Sequence, residues 1–203
     1  DYFDLLNKVD TRDSPGVASR LHPVFAYNLN PGQLLSLGIT LLAVSSILGI
    51  AFIFQRSIWV ASLLFFGLFL AVFYTARPIG LKYVSLGEPV MFLAFGPLMM
   101  EGTYAIQRQG LSWDILFLSL PIGILVSTVL LSNNIRDCEF DRKSHISTLS
   151  IVLGYQNSIL LYTCLTLSAF ILVLIYIFYN LLPLKALLIF LAFPLCLRNM
   201  HNI

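Results

Sequence analysis

Charge is scarce in this sequence. Of 203 residues, only 12 are Lys or Arg and 10 are Asp or Glu, 11% in all. A soluble domain carries about a quarter charged residues. With less than half of that and 58% hydrophobic residues, this chain cannot clothe a water-facing globule. Cysteine is nearly absent as well. Cys138, Cys164 and Cys196 stand far apart and form no CxxC or other ligand pattern, so they read as small buried apolar residues. His22, His145 and His201 show no ligand spacing either. A net charge of +2 is too small to suggest a nucleic-acid partner. The sequence opens at Asp1, with no signal-peptide pattern in its first residues. The expectation is a single domain over residues 1–203, truncated before Asp1 and also after Ile203.

Long apolar runs are present instead, and the mean hydropathy is +0.87. A bilayer is crossed by about 20 apolar residues in a helix. Residues 1–30 are mixed and polar and predict a short helical start followed by a membrane-surface segment. About six spans follow, over 31–54, 58–75, 88–106, 111–131, 159–179 and 184–197, the last of them short. Pro31 suits the first turn of a helix, where a missing N–H costs nothing. Gln55-Arg56-Ser57 makes a tight turn, residues 76–87 a Pro/Gly-punctuated loop, and Leu149 opens a helical lead-in to the fifth span. The chain therefore reads as an all-α, polytopic transmembrane bundle.

Alternate loops share a membrane side. One side takes Lys8, Arg12, Arg20, Arg77, Lys82, Arg136, Arg142, Lys143 and Arg198; the other takes Arg56, Arg108 and Lys185. By the positive-inside rule the first side is cytoplasmic. That side also collects Asp1, Asp4, Asp10, Asp13, Asp137, Glu139 and Asp141. Carboxylates contribute little to orientation, so they call for another reason.

Asp137 and Asp141 are four apart, which on a helix puts both carboxylates on one face, with Asn133 one turn earlier. Two carboxylates at that spacing repel unless a cation sits between them. Magnesium suits the position, because it takes one or two carboxylates and completes its shell with water and phosphate oxygens. Asp1 and Asp4, with Asp10 beyond, form a second acidic cluster on the same side. Facing each other, the two clusters would clamp a magnesium-bound diphosphate, with Arg136, Arg142, Lys143, Arg77 and Lys82 to neutralise phosphate. The competing reading is a solvated membrane-surface loop. Asn133 and Asn134 run straight out of an apolar span, where polar groups are expensive and point to function.

The segment NNIRDCEFDRKSHISTLSIVLG, Asn133 to Gly154, resembles the second Asp-rich motif of UbiA-type prenyltransferases, in the form typical of the menaquinone-forming, MenA-like branch. YTARPIGLKYVSLGEPVMFLAFGPLMMEGTYAIQ, Tyr74 to Gln107, is similar to that branch's YT…P…Y..LGE…FGP…GTY..Q pattern. DYFDLLNKVD, Asp1 to Asp10, is similar to the end of its first motif. The three cover most of residues 1–154 in order.

This resemblance implies a nine-helix fold around a cavity and a magnesium-dependent transfer from a polyprenyl diphosphate to an aromatic acceptor, 1,4-dihydroxy-2-naphthoate in the MenA-like branch. It implies Asp1, Asp4, Asp10, Asp137 and Asp141 as metal carboxylates, with Asp4, Asp137, Asp141 and Lys82 central to catalysis. Asn133, Asn134, Arg136, Arg142 and Lys143 would bind substrate, and Tyr74, Tyr83 and Tyr104 would offer ring faces to an allylic cation or pack at the interface. Two departures stand out. Asn7-Lys8 replaces the branch's usual Lys-Gly, and Glu101 sits inside a span where an apolar residue is usual. Homogentisate, chlorophyllide and 4-hydroxybenzoate remain alternative acceptors within the family. A carboxylate-based transporter would instead place its carboxylates near the bilayer midplane. A non-catalytic relative is the third alternative.

Overall fold

The structure, a computed structural model, describes residues 2–18, 21–55, 58–144 and 146–202. Asp1, Arg20, Arg56, Ser57 and His145, and the side chain of His201, lie outside the described residues. Among the described residues there is no strand, only an isolated bridge between Val84 and Ser147. Three short helices, α1 (Tyr2–Leu6), α2 (Pro15–Ala18) and α3 (Pro23–Tyr27), precede the long α4 (Pro31–Gln55) and α5 (Ile58–Phe73). A 3₁₀ turn at Leu81–Tyr83 leads to α6 (Gly87–Leu93), which runs through a π-helical turn (Ala94–Leu98) into α7 (Met99–Arg108). Then come α8 (Trp113–Arg136), α9 (Cys138–Lys143), α10 (Leu149–Leu153) and α11 (Tyr155–Phe178). A 3₁₀ segment, Leu184–Ala192, and α12 (Phe193–Asn202) follow.

Four stretches are long and apolar enough to cross a membrane: Pro31–Phe54, Gly87–Arg108, Trp113–Arg136 and Tyr155–Phe178. They coincide with the first, third, fourth and fifth expected spans, and the protein is an integral membrane protein. α5 is apolar throughout but only 16 residues long. The sixth expected span, 184–197, is not one helix. It is 3₁₀ to Ala192 and restarts as α12 at Phe193, with Pro194 at the second position, where a missing N–H is harmless. The lead-in to the fifth span is a separate helix because Gly154 takes φ 77° between α10 and α11. Large apolar side chains such as Ile47, Phe54, Phe65 and Phe178 stay exposed, as a lipid-facing surface requires.

α8 is central, packed between α11 on one side and α6 with the π turn on the other. Pro97 has no N–H to donate, and the widened turn accommodates it, Met99 N–H reaching back five residues to Ala94 C=O. There the backbones meet: a Cβ on Gly123 would lie 2.7 Å from Phe92 O, and one on Gly96 2.9 Å from Gly123 Cα. Small residues permit such close helix approach in membranes. Several polar side chains inside this layer are satisfied by nearby backbone. Ser119, Ser127 and Thr128 donate to carbonyls of α8 itself, and Tyr176 OH donates to Phe117 O at 2.7 Å, joining α11 to α8.

Candidate functional site

Where α5 and α8 finish and α6 begins, the bundle end holds a cavity of about 290 Å³. Its lining includes Asp10, Tyr74, Lys82, Asn133, Asn134, Arg136, Asp137 and Asp141. Three short pieces of chain bring these together from distant parts of the sequence.

The first wall is α1 and the turn after it. The Asp4 carbonyl accepts the N–H groups of Val9 and Asp10, at 2.8 and 3.2 Å, which folds the chain back and delivers Asp10 to the cavity. Asp10 Oδ2 lies 3.1 Å from Nε2 of His22, a side chain only 1% exposed. His22 Nδ1 accepts the Val24 N–H at 3.3 Å at the start of α3, so in the neutral ring Nε2 carries the proton and donates to Asp10. The Asp4 carboxylate, 4% exposed, accepts from Lys82 Nζ at 2.6 Å and from Tyr83 OH at 2.9 Å. Burial alone would raise the Asp4 carboxyl, but the Lys82 ammonium outweighs it and holds Asp4 below the ordinary aspartate value. Burial and Asp4 push the Tyr83 hydroxyl upward, so it stays a donor.

The second wall is the junction of α8 and α9. Asp137 ends one helix and precedes the next (φ −92°, ψ 2°), yet Asp141 N–H still bonds Asp137 C=O at 2.9 Å. The one-turn relationship expected from the spacing therefore survives the break. Arg136 grips Asp137 with two bonds of 2.7 and 2.8 Å. Asp141 is 6% exposed, and its carboxyl is pushed up to about 6, first by burial and then by the charge of Asp137, with Asp4 adding to it. The third wall is the loop carrying Lys82. It is tied to the segment after α9 by Ser85 N–H to Ser147 O (2.7 Å) and Ser147 N–H to Tyr83 O (3.0 Å).

The placement of the expected residues is uneven. Asp10, Asp137, Asp141, Lys82, Asn133, Asn134, Arg136 and Tyr74 share the cavity. Asp4 and Tyr83 stand behind Lys82. Arg142 and Lys143 are exposed on α9 and do not line the cavity. Tyr104 does not reach it: 17 residues along the continuous helix from Gly87, it lies about 25 Å away. Glu101 is likewise at the far end, buried, with Oε2 accepting the Ser112 N–H at 3.2 Å just before α8. The metal set is not one cluster. Among the described residues no three Asp, Glu, His or Cys side chains gather closely enough to hold one ion. His22 and Glu88 are the site residues that spacing did not reveal. Glu88 is 4% exposed and accepts from Asn134 Nδ2 at 2.9 Å.

The donor set fits a hard divalent cation. The cavity carboxylates come from two walls, supply oxygen only, and strain against one another at Asp141. One or two carboxylates per ion, with water and phosphate completing the shell, is the arrangement magnesium accepts.

The sequence profile of the UbiA prenyltransferase family matches residues 8–202. A Bacillus subtilis protein named 1,4-dihydroxy-2-naphthoate octaprenyltransferase is 28% identical over 161 residues, 79% of this chain and 51% of that protein. UbiA prenyltransferase domain-containing protein 1 of Dictyostelium discoideum is 38% identical over 106 residues, 52% of this chain and 32% of the relative. Its Xenopus tropicalis counterpart is 30% identical over 166 residues, 81% and 47% respectively. The chain thus spans about half the length, or less, of the curated relatives it matches.

Proposed function

The chain belongs to the UbiA prenyltransferase family, and on that premise we propose that its cavity takes an isoprenoid diphosphate with magnesium and directs the polyprenyl group to an aromatic acceptor. The observation that carries this is the convergence of Asp10, Asp137 and Asp141 with Lys82 and Arg136 on one cavity at the end of an apolar bundle. A cavity of both signs suits a metal–diphosphate group, whereas paired carboxylates near the midplane would suit a transporter.

Asp137 and Asp141 on one wall would hold the cation, with water and diphosphate oxygens completing its shell, and Asp10 faces them from the other wall. When bound, the cation would neutralise the charge developing on the departing diphosphate. Lys82 and Arg136 supply donors for phosphate oxygens. Their present partners, Asp4 and Asp137, keep both cations positioned. Cleavage of the C–O bond leaves an allylic cation, which Tyr74 on the cavity wall can stabilise with its ring face. An electron-rich ring carbon of the acceptor then closes the new C–C bond, and the ring regains its aromaticity by expelling the group that carbon carried, a proton or, from a carboxylate, carbon dioxide. His22 keeps Asp10 oriented through its Nε2 proton. By the positive-inside rule, this end of the bundle faces the cytoplasm.

For the acceptor we propose 1,4-dihydroxy-2-naphthoate, the compound in the name of the Bacillus subtilis relative. In that reaction the acceptor loses its carboxylate. The test uses the full-length protein in membranes, given this naphthoate and a polyprenyl diphosphate with and without magnesium. Prenylated naphthoquinol detected by mass only with magnesium, and reduced by about 100-fold or more in Asp137→Asn, supports the proposal. That threshold reflects the 10–100-fold cost of losing even an outer-shell partner. Product only with homogentisate or 4-hydroxybenzoate would retain the transfer and reject the acceptor.

A further inference from the structure

Glu88 is a buried carboxylate with no part in the transfer just described. It stands at the start of α6, with Oε1 accepting from Asn134 Nδ2 at 2.9 Å. Its second oxygen, Oε2, is buried without a hydrogen-bond partner. An unsatisfied buried oxygen costs about 1–3 kcal/mol, and an apolar side chain of the same shape would avoid that cost. Packing therefore does not account for a carboxylate here. Its effect on Asn134 does.

A carboxamide has one donor end and one acceptor end. With its NH₂ engaged by Glu88, Asn134 directs its carbonyl oxygen away from Glu88, and Asn134 lines the cavity. We infer that Glu88 orients the Asn134 amide so that Oδ1, not the NH₂, faces the cavity, making Asn134 an oxygen ligand for the divalent cation beside Asp137 and Asp141. Glu88 is then a positioning residue. A diphosphate accepts hydrogen bonds and would need the NH₂ instead, so this reading replaces that of Asn134 as a diphosphate contact.

The electrostatics favour an amide there. Asp141 already stands against the charges of Asp137 and Asp4. A further carboxylate would add to that repulsion, whereas an amide oxygen adds a hard ligand without charge. The inference rests on the cavity being a cation–diphosphate site.

The experiment uses Mn²⁺ as the probe and the full-length protein in detergent, without diphosphate, following free Mn²⁺ by electron paramagnetic resonance. Glu88→Gln lets the amide at 134 turn, and Mn²⁺ affinity is expected to fall about 10-fold to 100-fold; Asn134→Ala should lose as much. The double variant Glu88→Gln with Asn134→Asp reverses the hydrogen bond, the new amide donating to the new carboxylate, and returns an oxygen to the cavity. It should recover Mn²⁺ binding. It also decides the matter if Glu88→Gln does not fold. At saturating magnesium, the KM of Glu88→Gln for prenyl diphosphate should stay near the unmodified value while the magnesium requirement rises. Unchanged Mn²⁺ affinity in Glu88→Gln and Asn134→Ala would overturn the inference and leave the cation site standing. So would a double variant that binds no better than Glu88→Gln. An unmodified protein that binds no Mn²⁺ would overturn both this inference and the cation reading beneath it.

Discussion

Lys82 and Asp4, 78 residues apart in sequence, meet at 2.6 Å. The pair fastens the loop between α5 and α6 to the α1 segment, and it puts the ammonium on the cavity wall. Lys82→Met keeps much of the stem and removes the charge, leaving the Asp4 carboxylate buried without this countercharge while Tyr83 OH still donates to it. Breaking such a pair from one side should cost about 3 kcal/mol. Thermal unfolding in micelles measures this. Adding Asp4→Asn should return part of the loss, since a neutral amide no longer needs the cation. The pH dependence follows the same pair. The Asp4 carboxyl is held low, so its stabilisation is present above the unfolded aspartate value and is lost as pH falls through the lower folded one.

Asp141 titrates in the opposite sense. Its folded value of about 6 lies above that of an unfolded aspartate. The cation-free folded state therefore holds a proton that the unfolded state has released, and this group disfavours folding as pH rises from about 4 to 6. Cation binding needs the ionised form and should weaken as pH falls below about 6. Asp137→Asn removes one of the charges responsible, so the carboxyl carbon resonance of Asp141 should shift its midpoint downward. A midpoint unmoved in Asp137→Asn would mean that the charge of Asp137 has no part in it.

Local spacing and composition made much of this legible. Uncharged runs located the long helices, and the four-residue interval between Asp137 and Asp141 anticipated their one-turn relationship even across a helix break. Expectations failed where a property depended on direction through the bundle. Tyr104 lies on the same continuous helix as Glu88 but at its other end, near Arg108, so of its two expected roles only packing at the interface is open to it. Arg142 and Lys143 directly follow Asp141, yet the turn of α9 leaves them facing out. The roles of His22 and Glu88 were not legible because their partners, Asp10 and Asn134, are 12 and 46 residues away. The separation of Asp4 from the other carboxylates likewise arises from Lys82, on a different element.

The Gly96–Gly123 contact predicts a sharp difference between glycines. Gly123→Ala would place a methyl group 2.7 Å from the Phe92 carbonyl oxygen, a backbone atom that cannot turn aside. α6 and α8 would have to separate, at a cost of about 1–3 kcal/mol. The Asn134–Glu88 bond spans the same pair of helices and should weaken with it. Gly102→Ala, on α7, meets nothing within 4 Å and should stabilise by roughly 0.5–1 kcal/mol through helix propensity. Paired melting curves in one detergent make the comparison.

Lys8 provides the last prediction. It occupies φ 57°, the left-handed region, at the turn that brings Asp10 to the cavity. Glycine is the residue that takes this conformation freely, because a side chain here costs about 1–2 kcal/mol. Lys8→Gly relieves that strain but frees the unfolded chain, so stability should hold or rise by at most about 1 kcal/mol. Lys8→Val adds a branch at Cβ to a left-handed position and should destabilise the turn. The bonds from Val9 and Asp10 N–H to Asp4 O close this turn. Its distortion should therefore raise the magnesium requirement as well as lower the melting temperature. A Lys8→Val protein with an unaltered melting temperature and magnesium requirement would show that the left-handed turn is not needed to deliver Asp10.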